Sequence, residues 1–534
     1  MPDRSSRHIG FWYQVAPGVD GSKEGIFRAF AWILRGLVSR DDCAVTIASP
    51  VWAIDGLRKI LREHEIPENR LEILVSRARI PIFLKLTESK HRRSRPQRQR
   101  QMSAVSVLLA RQIAKLRRRA MPCLATDRWW IAIIVGLSVG LGLLAGIVAW
   151  LGIKLTRRCL SKMLAPIWTR IGNRSAQKFQ PLVPRLREFI IQREYRRLAK
   201  LAARRRDIRS WFVATPWSSA AVELPGKVVV SLWDFVFADF PTKFNARAAL
   251  ELKADYAKLL RRADVVVSNS DYVSQRHGQQ VFGLDKPHTA VVRSNPVDYR
   301  ESYVRAQLAG DARREASETL RRHFARSARK AARDGSGKFE YFVGFPFDEI
   351  PYFFSSTQLR PHKNTLLLVK AYREFLTRGR GSHKLIMTGQ LEHQPEILEY
   401  IAQHQLQWDV LSIPKVPPEV HAALYQLASL TVVPTMFEGG LPFPFFESLS
   451  VDTPVVMADI PVVRELIPLA ADARWLFDPG SKSDLLESLC WCLEHRDRIL
   501  LEQRRLYQTL SIRNWTDTAR EYASWLQTDE RAYA

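Results

Sequence analysis

The most informative part of the sequence is TVVPTMFEGGLPFPFFESLSVDTPVV, residues 431–456. Its apolar start predicts a buried strand, and a helix is predicted to begin near Pro444. The loop between them contains Glu438, Gly439 and Gly440. Glycines at a strand-to-helix junction allow backbone N–H groups to approach a phosphate or a hydroxyl closely. The stretch therefore predicts a ligand-binding loop at the carboxyl end of a buried strand.

Two glutamates of this stretch have different predicted positions. Glu438 precedes the helix and would face a cleft, where its carboxylate could accept hydrogen bonds from sugar hydroxyls. Glu447 falls in the predicted first helical turn and is suited to hold a ribose diol, as acidic residues do in nucleotide-binding folds. The structural alternative is that both are charges at a helix N-terminus, which the helix dipole favours.

A second informative stretch is FFSSTQLRPHKNTLLLVKAY, residues 353–372. A predicted strand leads into Arg360-Pro361-His362-Lys363-Asn364, and an amphipathic helix follows. Cations at a helix start oppose the helix dipole, so they favour an anion there. A diphosphate would neutralise Arg360 and Lys363 and accept backbone N–H groups. The alternative is that both are ordinary surface charges.

Alternating strands and helices extend from these two stretches over most of the chain. N-terminal strands are expected at 9–16, 44–49, 71–76, 211–215, 228–232, 264–269 and 289–293. C-terminal strands are expected at 339–343, 352–356, 384–388, 409–412, 430–434, 454–457 and 474–477. Helices between consecutive strands predict parallel sheets, so the fold class is α/β with two doubly wound, Rossmann-like domains. Ligands of such domains bind at the carboxyl ends of the strands, here in the cleft between the domains.

The same pattern predicts the domain organisation. Residues 1–86 and 207–300 form one N-terminal domain, and residues 87–206 interrupt it as an insert. Residues 301–338 are polar and basic and are predicted to be a linker. Residues 339–514 form the C-terminal domain, and residues 515–534 form a helix that returns to the N-terminal domain.

The insert at 87–206 carries most of the excess charge of the chain. The 534 residues include 81 Lys and Arg and 54 Asp and Glu, a net charge of +27. Within the insert, 28 Lys and Arg face only four acidic residues. A basic segment of this kind binds phosphates, either of nucleic acid or of anionic lipid.

The insert also contains 25 uncharged, mostly apolar residues, 129–153. This length suffices to span a bilayer, and tryptophans near both ends suit the membrane interface. If both halves of the N-terminal domain share one sheet, the two ends of the insert lie on one side of the membrane. We therefore expect a re-entrant hairpin or a helix lying in the membrane plane. The alternative is that the segment crosses the membrane. The repeated G-x-x-x-G spacing of residues 129–153 would then suit packing against a second membrane helix, as in an oligomer.

Anionic lipid is a better predicted partner for the insert than nucleic acid. The basic flank includes Arg92, Arg93 and Arg95, but no zinc finger, helix-turn-helix or RNA-binding signature accompanies it. The five cysteines form no C-x-x-C pair, and the first residues lack a signal-peptide pattern. We therefore expect a protein on the cytoplasmic face of a membrane, anchored by residues 129–153. His362 and His277 are interpreted as solvated or capping residues, not as metal ligands.

At this point the sequence resembles the retaining glycosyltransferases of family 4, which have two Rossmann-like domains in the GT-B architecture. Glu438 and Glu447 match the paired glutamates of that family, and the run at 360–364 matches its basic phosphate-binding motif. The resemblance is good over residues 339–528, looser in the N-terminal domain and absent from the insert. Eight residues separate the two glutamates, where the family usually has seven. Trp233 stands where many relatives have histidine.

The resemblance implies a role for each candidate residue. Lys363 and Arg360 would stabilise the diphosphate leaving group, Glu438 would position the donor sugar, and Glu447 would hold the ribose. Further donor-binding candidates are Gly439, Gly440, Leu441, Gly21 and Gly25, and Asp234 would line the acceptor side. No metal or cofactor is implied, because the cations supply the electrostatic stabilisation.

The implied reaction is transfer of a hexose, with mannose as one option, from a nucleotide-diphosphate sugar. The membrane insert favours a lipid-linked glycan acceptor in polysaccharide biosynthesis. Two alternatives remain open. Trp233 and the glutamate spacing would fit a non-catalytic sugar-nucleotide-binding or scaffold subunit, and the basic insert would fit a nucleic-acid-binding protein.

Overall fold

The fold is that of a computed structural model of the 534-residue chain. It describes residues 8–19, 21, 25–76, 80–81, 182–285, 289–299, 312–333, 340–378, 381–391, 394–414, 416–467 and 473–527. The apolar segment 129–153 lies outside these residues. Within the described ranges, no helix has both the length and the apolar character needed to cross a membrane.

The N-terminal domain is built on a seven-stranded parallel sheet. Its strands are β1 (His8–Trp12), β2 (Ala44–Ala48), β3 (Leu71–Leu74), β4 (Ser210–Val213), β5 (Lys227–Leu232), β6 (Val265–Ser268) and β7 (Thr289–Val291). Their order across the sheet is β3-β2-β1-β4-β5-β6-β7. Strand β1 pairs with both β2 and β4, so the segments before and after the insert share one sheet, as the sequence predicts.

Helices cover both faces of this sheet. They are α1 (Gly25–Val38), α2 (Ile54–Glu63), α3 (Leu182–Ala202), α4 (Val236–Asp239), α5 (Ala246–Arg262) and α6 (Val273–Val281), the last with π-type hydrogen bonding. Strands buried on both faces require apolar residues at consecutive positions, which explains the Val-rich sequences of β5 and β6.

Helix α3 changes the expected boundary of the insert. Residues Ile190, Tyr195, Leu198 and Ala202 of α3 are buried in the N-terminal core, together with β4 and β5. Residues 182–206 are rich in arginine, which is why the sequence predicts them to be part of the basic insert. The helix instead belongs to the N-terminal domain.

The C-terminal domain has a six-stranded parallel sheet. Its strands are β8 (Tyr352–Ser355), β9 (Lys384–Thr388), β10 (Val410–Ile413), β11 (Leu430–Val433), β12 (Val455–Ala458) and β13 (Leu476–Phe477), in the order β10-β9-β8-β11-β12-β13. Its helices are α7 (Ala312–Arg333), α8 (Glu340–Val343), α9 (Thr365–Thr377), α10 (Pro395–Gln403), α11 (Pro418–Leu427), α12 (Phe443–Leu449), α13 (Pro461–Leu466), α14 (Lys482–Glu494) and α15 (Arg496–Leu510). Two parallel-sheet α/β domains confirm the predicted fold class.

Two elements of this domain differ from the sequence expectation. The strand predicted at 339–343 is wrong, because the chain forms the short helix α8 there. The segment predicted as a linker contains α7, which buries Ala316, Leu320 and Phe324 in a cluster with residues of the C-terminal domain. The ring of Phe324 stacks on that of Phe342 at 4.9 Å, so α8 is held by packing on α7.

The last helix, α16 (Trp515–Gln527), crosses back to the N-terminal domain. Its residues Ala519, Tyr522, Ala523 and Leu526 are buried in the same core as α1. Tyr522 also shares a hydrogen bond of 3.1 Å with Ser231 of β5. The chain therefore joins its two domains twice, once between β7 and α7 and once between α15 and α16.

Candidate functional site

The candidate site lies where the strand order of the C-terminal sheet reverses. Strands β8 and β11 are neighbours there, although strands β9 and β10 lie between them in the chain. Lys363 follows β8, and Glu438 follows β11. Because both strands are parallel, their carboxyl ends open on the same edge, which is the usual ligand position in doubly wound sheets.

A tight turn presents Lys363 at this edge. Residues Pro361–Lys363 form a single 3₁₀ turn, and Asn364 adopts a left-handed conformation with φ of 56°. Helix α9 therefore begins two residues after Lys363, not at Lys363 itself. The backbone N–H of Met436 donates to the carbonyl of His362 at 2.8 Å and ties the glutamate loop to this turn.

Lys363 and Glu438 form an ion pair between these two loops. Their side chains are 19% and 24% exposed, so the pair is sheltered but accessible to a ligand. Arg360 lies at the start of the same turn and is exposed. The two predicted cations and the first predicted glutamate are therefore together at one strand edge.

His362 and His277 are buried, so of the interpretation as solvated or capping residues the first part is wrong, whereas His277 has a capping contact before α4. Burial, reinforced by Lys363 and Arg360, lowers the pKa of His362 to about 3, so it is neutral at physiological pH. His277 accepts from the backbone N–H of Phe235 at 2.9 Å and lies 2.7 Å from a carboxylate oxygen of Asp239. The His277 ring therefore holds the start of α4, whereas the His362 contact with the glutamate loop is made by its backbone carbonyl.

The N-terminal domain closes on the glycines of the glutamate loop. The Ser270 hydroxyl donates to the Gly439 carbonyl at 2.7 Å, and Asn269 lies against Gly440. A Cβ atom at Gly439 would lie 1.9 Å from the carbonyl oxygen of Trp233, so only glycine fits this approach. The double glycine therefore contacts the other domain in this arrangement.

The carboxylate of Glu465 also holds the two domains together. Glu465 of α13 accepts from the backbone N–H groups of Asp271 at 2.8 Å and Tyr272 at 2.7 Å. These donors precede α6 in the N-terminal domain, where a negative charge is favoured. Asn269, Ser270 and Glu465 were missed by the sequence analysis. Asn269 and Ser270 could have been identified from the sequence, because they are polar residues directly after the buried strand β6.

We predict that Gly439→Ala disturbs this closed arrangement. An additional methyl group in a tightly packed contact costs about 1–3 kcal/mol, so the catalytic efficiency should fall roughly tenfold or more. Small-angle X-ray scattering should show a larger mean size than for the wild type. Gly344→Ala is the control, because nothing lies within 4 Å of a Cβ atom there. Equal effects of both substitutions would contradict the contact.

Asp234 approaches the ion pair from the N-terminal side. It follows β5, and its carboxylate lies 3.4 Å from the backbone N–H of Val236. Burial and the charge of Glu438 raise the pKa of Asp234, although His277 and Lys363 oppose this. Asp234, Lys363 and Glu438 are thus close enough to influence one another across the cleft.

Glu447 lies apart from this group in a fully buried polar cluster. It is the fifth residue of α12, so the prediction that it lies in the first helical turn is wrong. One carboxylate oxygen accepts from Arg28 at 2.9 Å and from Tyr299 at 3.2 Å, and the other accepts from Tyr425 at 2.8 Å. Burial alone would raise the pKa of Glu447, but Arg28, His421 and the Tyr425 hydroxyl together hold it below its ordinary value.

The remaining predicted residues occupy three different surroundings. Gly25 begins α1, and a Cβ atom there would lie 3.7 Å from the Phe443 ring at the start of the glutamate helix. Gly21 lies against the hydroxyl of Tyr13 within the N-terminal domain. Leu441 packs partly against the core of the C-terminal domain. Gly25 therefore lies against the first residue of the glutamate helix, whereas Gly21 and Leu441 contact their own domains.

The described part of the chain contains no group of three or more His, Cys, Asp or Glu residues arranged to hold a metal ion. The positive charges at the strand edge come from Lys363 and Arg360. The arrangement therefore offers cations, a carboxylate and a buried acid at the mouth of an inter-domain cleft. Such a set suits a phosphorylated, hydroxyl-rich ligand.

Comparison with known proteins gives the same fold. The chain resembles the solved structure of Anabaena Alr3699/HepE in complex with UDP and glucose, with a TM-score of 0.54 and 13% identity, covering 97% of this chain and 98% of that chain. It resembles the N-terminal domain of Candida albicans trehalose-6-phosphate phosphatase, with a TM-score of 0.53 and 10% identity over 97% and 96% of the two chains. A glycosyltransferase from Rickettsia africae gives a TM-score of 0.50 and 12% identity over 98% and 100%.

Sequence comparison bears on the C-terminal domain. No curated protein matches the chain significantly in sequence. Residues 340–508 match the family model described as glycosyl transferases group 1. This range contains Lys363, Glu438 and Glu447. Residues 340–508 of the C-terminal domain are therefore similar to glycosyl transferases group 1, in a chain with the two-domain GT-B fold.

Proposed function

We propose that the chain is a membrane-associated, retaining glycosyltransferase that moves a hexose from a nucleotide-diphosphate sugar to a lipid-linked glycan. The observation that carries this proposal is the Lys363–Glu438 pair at the strand-order reversal, facing Asp234 of the other domain. The group 1 family match over residues 340–508 supports sugar transfer. The complex of Anabaena HepE with UDP and glucose supports a nucleotide-sugar donor.

In the proposed reaction, the donor replaces Glu438 as the partner of Lys363. A donor diphosphate would take Lys363 from Glu438, and Arg360 would contact the same phosphates. Glu438 would then accept hydrogen bonds from hydroxyls of the donor sugar. Negative charge grows on the diphosphate as the glycosidic bond breaks, so cations fixed there stabilise the transition state most. This mechanism requires no metal or cofactor.

Asp234 would line the acceptor side of the same cleft. Its burial and the nearby Glu438 raise its pKa, so its carboxyl is a weaker acid than an exposed aspartate. From the end of β5 it faces the Lys363–Glu438 pair across the cleft. An acceptor hydroxyl bound at Asp234 would approach the donor from the leaving-group side, the direction needed for retention of anomeric configuration.

The membrane part of the proposal rests on the insert and on α3. Residues 129–153 are apolar, and Lys and Arg are abundant on both sides. Helix α3, which follows the insert, exposes Arg193, Arg196 and Lys200 along one stripe. Anionic lipid attracts such a stripe, and an anchored enzyme would meet a lipid-linked acceptor at the cytoplasmic face.

A panel of sugar nucleotides tests the donor proposal. We expect one of the UDP, GDP or ADP sugars to raise the thermal midpoint, because ligand binding to the folded state adds about 2.7 kcal/mol at 100 times Kd. Glu438→Gln should keep most of this stabilisation but lose turnover. The control is Glu399→Gln, a change at an exposed residue of α10. Binding without hydrolysis or transfer would favour a non-catalytic subunit, and absence of any shift would contradict the proposal.

A further inference from the structure

Arg28 of α1 extends from the N-terminal domain to the buried Glu447. Its guanidinium donates to the carboxylate at 2.9 Å, across 419 residues of sequence. The Glu447 side chain is 2% exposed, whereas the Arg28 side chain is 28% exposed. The ion pair therefore has one end in the core of the C-terminal domain and the other at the edge of the cleft.

The surroundings hold the Arg28 guanidinium in place. Its central carbon lies 5.3 Å from the ring centres of both Trp32 and Phe443, within cation–π range. Trp32 in turn stacks on Trp515 at 4.6 Å. Arg28 is thus fixed between a helix of each domain, and it can orient Glu447 only while the domains are closed.

A buried carboxylate needs this partner to stay charged. Burial pushes the pKa of Glu447 upward, and among the opposing groups Arg28 has the largest effect, followed by His421 and Tyr425. A charged carboxylate has about four acceptor positions, of which Arg28, Tyr299 and Tyr425 use three. The bond from Tyr299 is the longest, at 3.2 Å. Among the described residues one acceptor position is unused and one bond is weak, so the carboxylate could accept from a ribose diol.

We propose that Arg28 is a positioning residue of the donor site, which fixes the Glu447 carboxylate so that it accepts the ribose hydroxyls of the nucleotide. This inference rests on the proposed function, because it assumes a nucleotide donor. Arg28 acts through Glu447 and does not contact the nucleotide itself. Its effect on binding must therefore disappear when Glu447 can no longer carry a charge.

The test compares Arg28→Gln, Arg28→Lys and Arg28→Gln in a Glu447→Gln background. Calorimetric titration with UDP, GDP and ADP from pH 6 to pH 9 measures binding. Arg35→Gln is the matched control, because Arg35 lies on the same helix in an exposed pair with Glu65. We expect Arg28→Gln to weaken the best nucleotide about tenfold or more near pH 6. Arg28→Lys keeps the charge but loses the planar guanidinium between Trp32 and Phe443, so it should weaken binding less than Arg28→Gln does.

The expected pH dependence has a definite sign. Without Arg28 the pKa of Glu447 rises, so the carboxyl binds a proton at low pH and loses acceptor capacity. The affinity of Arg28→Gln should therefore recover as pH increases, relative to wild type. Tyr299, Tyr425 and His421 face the same carboxylate and are present in both proteins. The difference between the two pH profiles isolates the effect of Arg28.

Each contrary outcome has its own meaning. A loss that is equal at every pH, or that persists in the Glu447→Gln background, would show direct contact with the nucleotide and overturn the inference. Unchanged binding by Arg28→Gln would also overturn it while leaving the donor proposal intact. Failure of the wild type to bind any of the nucleotides or their sugars would reject both. If Arg28→Gln does not fold, Arg28→Lys decides, since binding as weak as that of Glu447→Gln would exclude a role for the charge.

Discussion

Lys363→Ala should lower the catalytic efficiency of sugar transfer by roughly 30- to 1,000-fold, which corresponds to about 2–4 kcal/mol of transition-state stabilisation. Lys363 lies at the carboxyl edge of β8, beside Glu438, where we place the donor diphosphate. Its amine is preorganised by the Pro361–Lys363 turn and the left-handed Asn364. The loss should therefore appear in the chemical step as well as in binding.

Lys363→Ala should change the free energy of unfolding much less than it changes the catalytic activity. Both members of the Lys363–Glu438 pair are partly exposed, and such pairs contribute little to the free energy of unfolding. A steady-state assay and a thermal melt of the same preparation separate the two effects. Lys370→Ala is the control, because Lys370 is exposed on the helix that follows. Transfer within threefold of wild type would exclude Lys363 from the site, and Arg360→Ala should give an equal or smaller loss.

The fold was predictable because parallel sheets impose a simple sequence pattern. Strands such as Val265–Ser268 are apolar at consecutive positions since both faces are covered. The same rule failed at Glu340–Val343, where a short apolar run became a helix. Periodicity alone cannot distinguish a strand from a helix in a run of this length. Packing of Phe342 on Phe324 of the preceding helix decided the outcome.

The candidate site was only partly predictable, because some of its contacts join residues that are far apart in the sequence. Lys363 and Glu438 each follow a recognisable strand, so their meeting at one edge follows from topology. The contact between Arg28 and Glu447 joins residues 419 positions apart in different domains. Nothing in the local sequence of α1 fixes how the two domains close. The positions of Asn269 and Ser270 against the glutamate loop depend on the same closure.

The C-terminal boundary of the insert was predicted wrongly, because the arginines of α3 made this helix resemble the basic insert. Residues 182–206 include many arginines, which the sequence analysis counted with the basic segment. The buried Ile190, Ile191, Tyr195, Leu198, Ala199 and Ala202 nevertheless recur at helical spacing. An amphipathic helix can carry a charged outer face over an apolar inner face. Any removal of the insert must therefore stop before Leu182.

Replacing residues 87–181 with a short Gly/Ser linker should abolish liposome binding and transfer to a lipid-linked acceptor, while nucleotide binding is kept. The removed segment contains 19 Lys and Arg against two acidic residues, and it includes the apolar residues 129–153. Each basic residue near anionic lipid contributes about 1 kcal/mol, and the apolar segment adds to this. Co-sedimentation with vesicles of phosphatidylglycerol and phosphatidylcholine measures the loss. Replacing 87–206 is the matched control, because it also removes α3 from the core and should unfold the N-terminal domain.

Salt and cysteine labelling then distinguish how the intact protein binds. Salt screens the attraction of basic residues to lipid but does not weaken apolar insertion, so detergent and not high salt should release the protein from membranes. Release by salt alone would mean that residues 129–153 are not inserted. Single cysteines at Arg100→Cys and Leu160→Cys, with the native cysteines replaced, report the side of the membrane. The described sheet joins β1 to β4 across the insert, so we predict labelling of both positions from one side. Labelling from opposite sides would contradict that sheet.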